Sequence, residues 1–326
     1  MSAMTTTTTD SASTDSETSP VDRPAAPEAT ASLALTGPFS LREVALMGFG
    51  HRDERSYDGV MRLAFCVDGS YQRQVGVEVR QDDSQLRLRI LGTPASPALD
   101  DAATAVVARQ VARVLSADQD GAAFAQVCQA DPVLARLYAL APGFRPALFY
   151  SPYEAAVWSI LSARRARPQG IALRARLAHQ FGATFDLAGV ATAAVPTPSR
   201  LLELDSVAGL PADRIPRLHA VAEAAQQGLL SAGGLLALGS DEAQRTLQQL
   251  PGIGPFYSTL ILVRSCGATD VLPVGESRGR EAVRRLYGWD RDPTDAELAE
   301  LAERWRPFRT WAMVSIRALS GRLEDR

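Results

Sequence analysis

The chain has 326 residues, 34 basic side chains against 37 acidic ones, and a formal net charge of −3; every basic side chain is arginine. With no lysine present, any mechanism that needs a lysine amine is excluded. Three cysteines, Cys66, Cys128 and Cys266, stand far apart without CxxC spacing, so they support neither a disulfide framework nor a zinc or iron–sulfur site, and buried free thiols are expected. At this length, with 46% apolar residues, two domains with real cores are expected.

Residues 1–35 carry the Thr5–Thr9 run and scattered Ser, Pro, Asp and Glu, a composition that buries too little apolar surface to offset chain entropy and reads as a disordered tail. Within residues 1–30, five acids face one arginine, so the remaining chain is slightly basic and nucleic acid is not excluded as a partner. No basic stretch followed by an apolar one opens the chain, and the longest uncharged runs are broken by Gln, Gly, Ser or Pro; a soluble cytoplasmic protein without a membrane span is expected. From Phe39 to Leu91 apolar and polar residues alternate, as in Val75, Val77 and Val79 and in Leu86, Leu88 and Ile90, with Asp-Gly and Asp-Asp turn signals between; this predicts an antiparallel sheet with one wet face. Asp100 or Asp101 can cap a helix running to about Leu115, whose Val106, Val107, Val111 and Val114 recur at helical spacing. Residues 36–147 therefore read as an α+β domain.

After Pro152 the pattern turns almost wholly helical, and residues 148–326 read as a second, all-α domain of short, closely connected helices. Ser151-Pro152, Gly254-Pro255 and Asp292-Pro293 place proline at early helical positions. The most informative stretch is Leu250-Pro251-Gly252-Ile253-Gly254-Pro255-Phe256, a glycine turn between two helices. Such a reversal needs positive φ and the absence of Cβ, and it leaves N–H groups at a helix N-terminus facing outward, where they attract a phosphate. A plain αα-hairpin would need the same turn, but the Leu-Pro before it and the helix after it favour the phosphate site.

Downstream come Asp270-Val271-Leu272-Pro273-Val274-Gly275-Glu276 and then Arg278, Arg280, Arg284 and Arg285. Here the chain resembles the helix–hairpin–helix DNA glycosylases, and among them the 3-methyladenine DNA glycosylase II type. Further matches are Pro152-Tyr153-Glu154-Ala155-Ala156-Val157, Gly209-Leu210-Pro211 with Arg214, Asp131-Pro132-Val133-Leu134, Gly143-Phe144-Arg145, and Ala302-Glu303-Arg304-Trp305-Arg306-Pro307-Phe308-Arg309, so the likeness spans roughly residues 120–320. It implies excision of an alkylated purine, of the 3-methyladenine or 7-methylguanine type, from double-stranded DNA by a monomer that flips the base out and hydrolyses its bond to the sugar. An alkylated purine leaves as a cation, so the protein's task is to hold a carboxylate beside the sugar as positive charge develops.

The family's carboxylate is an aspartate, and the matching residue here is Glu276, longer by one methylene. Two readings stand, an active-site carboxylate and a solvated loop acid, and the second would leave a DNA-binding relative without efficient chemistry. By the same likeness the DNA contacts fall on Pro251, Gly252, Ile253, Gly254 and Ser258, with Arg164, Arg165 and Arg278 as cationic partners. Arg164 stands where the family has a bulky wedge; it can fill a vacated base stack, belong to a general phosphate cluster, or simply be solvated. The base pocket falls on Phe256, Tyr153, Trp158, Trp311 and Arg317, the tryptophans being either cleft or core. Phe256 replaces a common tryptophan and Arg317 a common aromatic. His51, His179 and His219 are isolated, no metal site or cofactor is implied, and the one exception is a monovalent cation that the family's hairpin carbonyls can hold.

Overall fold

The computed structural model describes residues 26–48, 50, 56–273 and 276–324. Four strands, β1 (Glu28–Ala34), β2 (Met61–Val67), β3 (Ser70–Asp82) and β4 (Gln85–Gly92), form an antiparallel sheet in the order β1-β4-β3-β2. The alternation seen in the sequence sets the register: Leu63 pairs with Val77, and Val77 with Ile90, so these apolar residues share one face. That face packs on α2 (Asp101–Val114), whose N-cap Asp100 accepts the Ala103 N–H at 2.8 Å. The short α1 (Leu41–Ala45) joins the same core. The expected tail is corrected here: residues 28–34 are strand β1, paired with β4 from Glu28↔Leu91 to Ala34↔Gln85. Residues 1–25 of that tail, and His51, lie outside the described residues.

The rest is helical: α3 (Gly121–Ala130), α4 (Pro132–Leu140), α5 (Pro152–Ser162), α6 (Arg167–Phe181), α7 (Pro198–Leu202), α8 (Ile215–Gln226), α9 (Ala232–Ala237), α10 (Ser240–Gln248), α11 (Pro255–Ser265), α12 (Ser277–Tyr287), α13 (Asp295–Ala302) and α14 (Arg309–Glu324). Proline opens α5 and α11 as expected, but Pro293 lies before Thr294, which caps α13 with Glu297 in a reciprocal box. A hairpin absent from the sequence reading, β5 (Thr184–Leu187) and β6 (Val190–Ala193), interrupts the helices and packs Phe185 and Leu187 against Ala64 of the sheet. The fold is α+β. Among the described residues no helix is long and apolar enough to cross a membrane.

The cores do not follow a single cut at residue 147. Helices α3 and α4 share a core with α12–α14, built on Phe124, Leu134, Leu137, Trp305, Trp311 and Ile316. The fully buried Asp131 carboxylate joins these parts: it caps α4 through the Val133 and Leu134 N–H groups and accepts the Tyr287 hydroxyl and the Trp305 ring N–H. Burial and this neighbouring carboxylate push the Tyr287 hydroxyl pKa well up. Arg145, equally buried, gathers the Thr36, Pro38, Ser116 and Gln119 carbonyls, which fixes the chain leading into α5.

Candidate nucleic-acid interface and base cavity

The first turn of α11 divides two concavities. On one side lies an open groove of about 630 Å³, lined by the 248–254 hairpin, Tyr257, Arg164, Asp213, Arg214 and Arg217. On the other lies a cavity of about 380 Å³ between α11, Pro273, Glu276 and the face of α14 from Thr310 to Arg317. Phe256 lines the cavity and Tyr257 the groove, their rings 5.2 Å apart edge to face. The cavity falls within the range of small-molecule sites, roughly 300–1,000 Å³.

In the hairpin the two glycines serve different ends. Gly252 has φ of +92°, the left-handed region that favours glycine. Gly254 has φ of −92° and a side-chain direction that meets nothing within 4 Å, so positive φ is not its reason, contrary to the sequence reading. What its missing Cβ leaves open is the approach to α11, whose N-terminus carries no side-chain cap. Ile253 is buried and pins the turn to the core of α5 and α8. Ser258 is corrected as a DNA contact: it is fully buried, its hydroxyl donates to the Pro255 carbonyl at 3.0 Å and accepts Gln248 Nε2 at 3.1 Å, and its N–H is spent on Gly254. The Leu250 and Gly254 carbonyls accept the Ile253 and Ser258 N–H groups, and each keeps a second lone pair, a backbone donor set compatible with a monovalent cation. Among the described residues no three His, Cys, Asp or Glu side chains are placed to hold a metal ion.

The arginines separate. Arg164 is exposed at the groove with φ of +58°. Arg165 is half-buried, with Nη2 donating to the Gly209 carbonyl at 3.2 Å. Arg278 lies away from the hairpin, in a depression it shares with Arg285 and Arg317. Arg280 and Arg284 hold the turn before α13 through Pro293, Asp295 and Asp292. Arg217, which sequence reasoning missed, reaches the hairpin: its Cδ stands 3.1 Å from where a Gly252 Cβ would be.

Glu276 is the N-cap of α12, its Oε2 accepting the Gly279 N–H at 2.6 Å, and its Oε1 lies 3.2 Å from Arg317 Nε. The side chain is 22% exposed, at the cavity wall. A Cβ at Gly279 would stand 2.9 Å from both Glu276 Oε2 and Met313 Sδ, so any larger residue there would displace the ends of these two side chains. Asp270 has another role: Arg306 and Arg309 clamp its carboxylate at 2.7 and 2.8 Å. Val274 and Gly275 of the same motif lie outside the described residues. Three expected pocket aromatics are core instead. The Tyr153 hydroxyl donates to the Pro196 carbonyl, Trp158 packs on Phe149, and Trp311 sits between Phe124 and Phe308. The structure thus gathers Phe256, Glu276 and Arg317 of the expected pocket, and adds Leu260, Thr310, Met313 and the buried Arg264. No side-chain spacing signals Arg264, since its neighbours in sequence are core.

No protein-family model matches the chain. Over 189 residues, 56% of its length, it is 31% identical to DNA-3-methyladenine glycosylase 2 of Escherichia coli (strain K12), and the alignment spans 63% of that relative, under two thirds of its length. The fold is similar to that of a 3-methyladenine DNA-glycosylase from Archaeoglobus fulgidus, with a TM-score of 0.71 at 21% identity, covering 89% of this chain and 98% of the other. It is also similar to the Clostridium acetobutylicum 8-oxoguanine glycosylase/lyase in complex with double-stranded DNA, with a TM-score of 0.62 at 17% identity over 88% and 92% of the two chains.

Proposed function

This chain has the fold of the helix–hairpin–helix DNA glycosylase superfamily and resembles it in sequence, and we propose that it is a monofunctional DNA glycosylase of base-excision repair, acting as a cytoplasmic monomer on duplex DNA. The observation that carries the reading is that a single helix turn places a cap-free N-terminus beside the groove and a carboxylate-bearing cavity behind it. A backbone phosphate fits the groove, where the hairpin N–H groups, Arg164 and Arg217 supply positive charge. A monovalent cation held by the Leu250 and Gly254 carbonyls would add charge beside that phosphate. The flipped nucleotide then presents its base to the cavity and its sugar to Glu276.

Breaking the bond leaves positive charge on the sugar, which the Glu276 carboxylate stabilises, and the same group can take a proton from the attacking water. Because no lysine is present, the sugar cannot be captured by a lysine Schiff base and the strand stays intact. The sequence resemblance and the first relative's name make alkylated purines the substrate class to test first. A second reading, a DNA-binding protein without chemistry, is favoured by one observation: both Glu276 oxygens are engaged, one by the cap and one by Arg317.

The test is incubation of the full chain with duplexes bearing one methylated, deaminated or oxidised purine, followed by detection of free base and of alkali-labile sites. Base release with strands that break only after alkali supports the glycosylase. Binding without release from any of the duplexes rejects it for the second reading.

A further inference from the structure

Helix α14 grips the stretch of chain that leads to Glu276 at two points. At the start of the helix, the Thr310 N–H donates to the Thr269 carbonyl at 2.8 Å, and the Thr310 hydroxyl donates to the Val271 carbonyl at 2.6 Å while accepting the Val271 N–H at 3.0 Å. Arg309 adds Nη2 on the Asp270 carbonyl at 2.6 Å. About two turns further on, Arg317 Nε lies 3.2 Å from Glu276 Oε1. Thr310, Met313 and Arg317 recur at three- and four-residue spacing and all line the cavity. One face of a single helix therefore sets both the start of this stretch and the carboxylate at its end.

Glutamate is an unusual helix cap, since the shorter Ser, Thr, Asp and Asn are preferred there. The cap bond from the Gly279 N–H fixes Glu276 Oε2, but a single contact leaves a long, rotatable side chain free to swing its other oxygen. Arg317 supplies the second fixed point. An ionised carboxyl offers about four lone-pair sites, so two contacts, one on each oxygen, leave each oxygen able to accept a proton or to face a developing cation.

We propose that Arg317 is a positioning residue: by pairing with Oε1 it holds the Glu276 carboxylate in the orientation the reaction uses, and so offsets the freedom that the extra methylene brings. The inference deepens the glycosylase reading above and rests on it. A reacting group displaced by about 1 Å can lose on the order of 100-fold in rate, so the pair acts on the chemical step and not on duplex binding. A guanidinium suits this task because its planar fork fixes direction as well as charge.

The experiment is single-turnover base release over a range of protein concentrations, on the damaged duplex that the unaltered chain cleaves fastest in the panel above. The full chain is compared with Arg317→Met, Arg317→Lys, Glu276→Gln and the double variant Glu276→Gln, Arg317→Met. Methionine keeps an unbranched stem without the charge; the rate at saturation is expected to fall at least about tenfold, with the half-saturating concentration and the melting temperature unchanged. Lysine, which retains a cation, recovers most of that loss. In the Glu276→Gln background Arg317→Met changes the rate by less than about twofold, because the group it acts through is already gone. An unchanged rate in Arg317→Met, or a tenfold loss that persists in the Glu276→Gln background, overturns the inference and leaves the glycosylase reading standing. A lysine variant as slow as the methionine variant also overturns it. Duplex binding with release from none of the duplexes overturns the glycosylase reading itself, and the inference with it.

Discussion

The groove and the cavity share the first turn of α11, yet they are built in opposite ways. The groove relies on backbone: a left-handed Gly252, an open Gly254 and a helix end without a cap, with arginines around it. The cavity relies on side chains brought together across some forty residues, Glu276 held by Arg317 from α14 and by the N-terminus of α12. Backbone binding tolerates sequence drift because any residue supplies an N–H. Side-chain chemistry does not, and it is in the cavity that this chain departs from the family it resembles, with Glu276 and Arg317.

The two regions should therefore fail separately. The largest effect is expected from Asp131→Ala, which removes the α4 cap and leaves the Tyr287 hydroxyl and the Trp305 N–H without their acceptor under the α14 wall. We expect a loss of about 3 kcal/mol in urea unfolding, from a cap of about 1 and a desolvation cost of about 2. At protein concentrations and temperatures where the variant is folded, duplex affinity should be kept. Next, Gly254→Val should weaken duplex binding at least tenfold by fluorescence anisotropy, about 1.4 kcal/mol, while the melting temperature holds, since the new side chain meets only open space in the protein. Unchanged affinity would remove the hairpin from the interface. Ser258→Ala should cost about 1 kcal/mol of stability and leave affinity unchanged, because its hydroxyl bonds only inside the turn.

The smallest effect near neutral pH concerns the thiols. Burial pushes Cys128 and Cys266 up to about 12, and Cys66 well above the ordinary value of 9.0. The folded state keeps the neutral thiols while the unfolded state ionises, so their contribution is complete below about pH 9 and is lost as pH rises from there toward 12. Urea midpoints between pH 8 and 10.5 should fall less steeply in the Cys66→Ala, Cys128→Ala, Cys266→Ala variant, and equal slopes would contradict this.

Much of this was legible in the sequence where the signal is local. Alternation at 75–79 and 86–90 marks strands, Asp100 and Ser151 mark helix starts, and Gly252 marks the turn. The strand Glu28–Ala34 was hidden because one of its faces is polar and its partner β4 lies more than fifty residues away. The tryptophans were ambiguous because a ring lining a cleft and a ring in a core share one helical spacing; Trp158 and Trp311 take the core. Ser258 followed a motif position rather than a direction, and only the fold shows it turned inward. The pairing of Glu276 with Arg317 had no local trace, as it depends on how α14 crosses the loop before α12.

The most direct test of the account is single-turnover base release by the unaltered chain and by Glu276→Gln, on whichever damaged duplex is cleaved fastest. Glutamine keeps an oxygen for the Gly279 N–H, so the fold and duplex affinity should be retained. The account predicts a rate reduced at least about 100-fold at unchanged Kd, the scale of a lost acid–base or charge-stabilising group. Release at the same rate from the variant would contradict it.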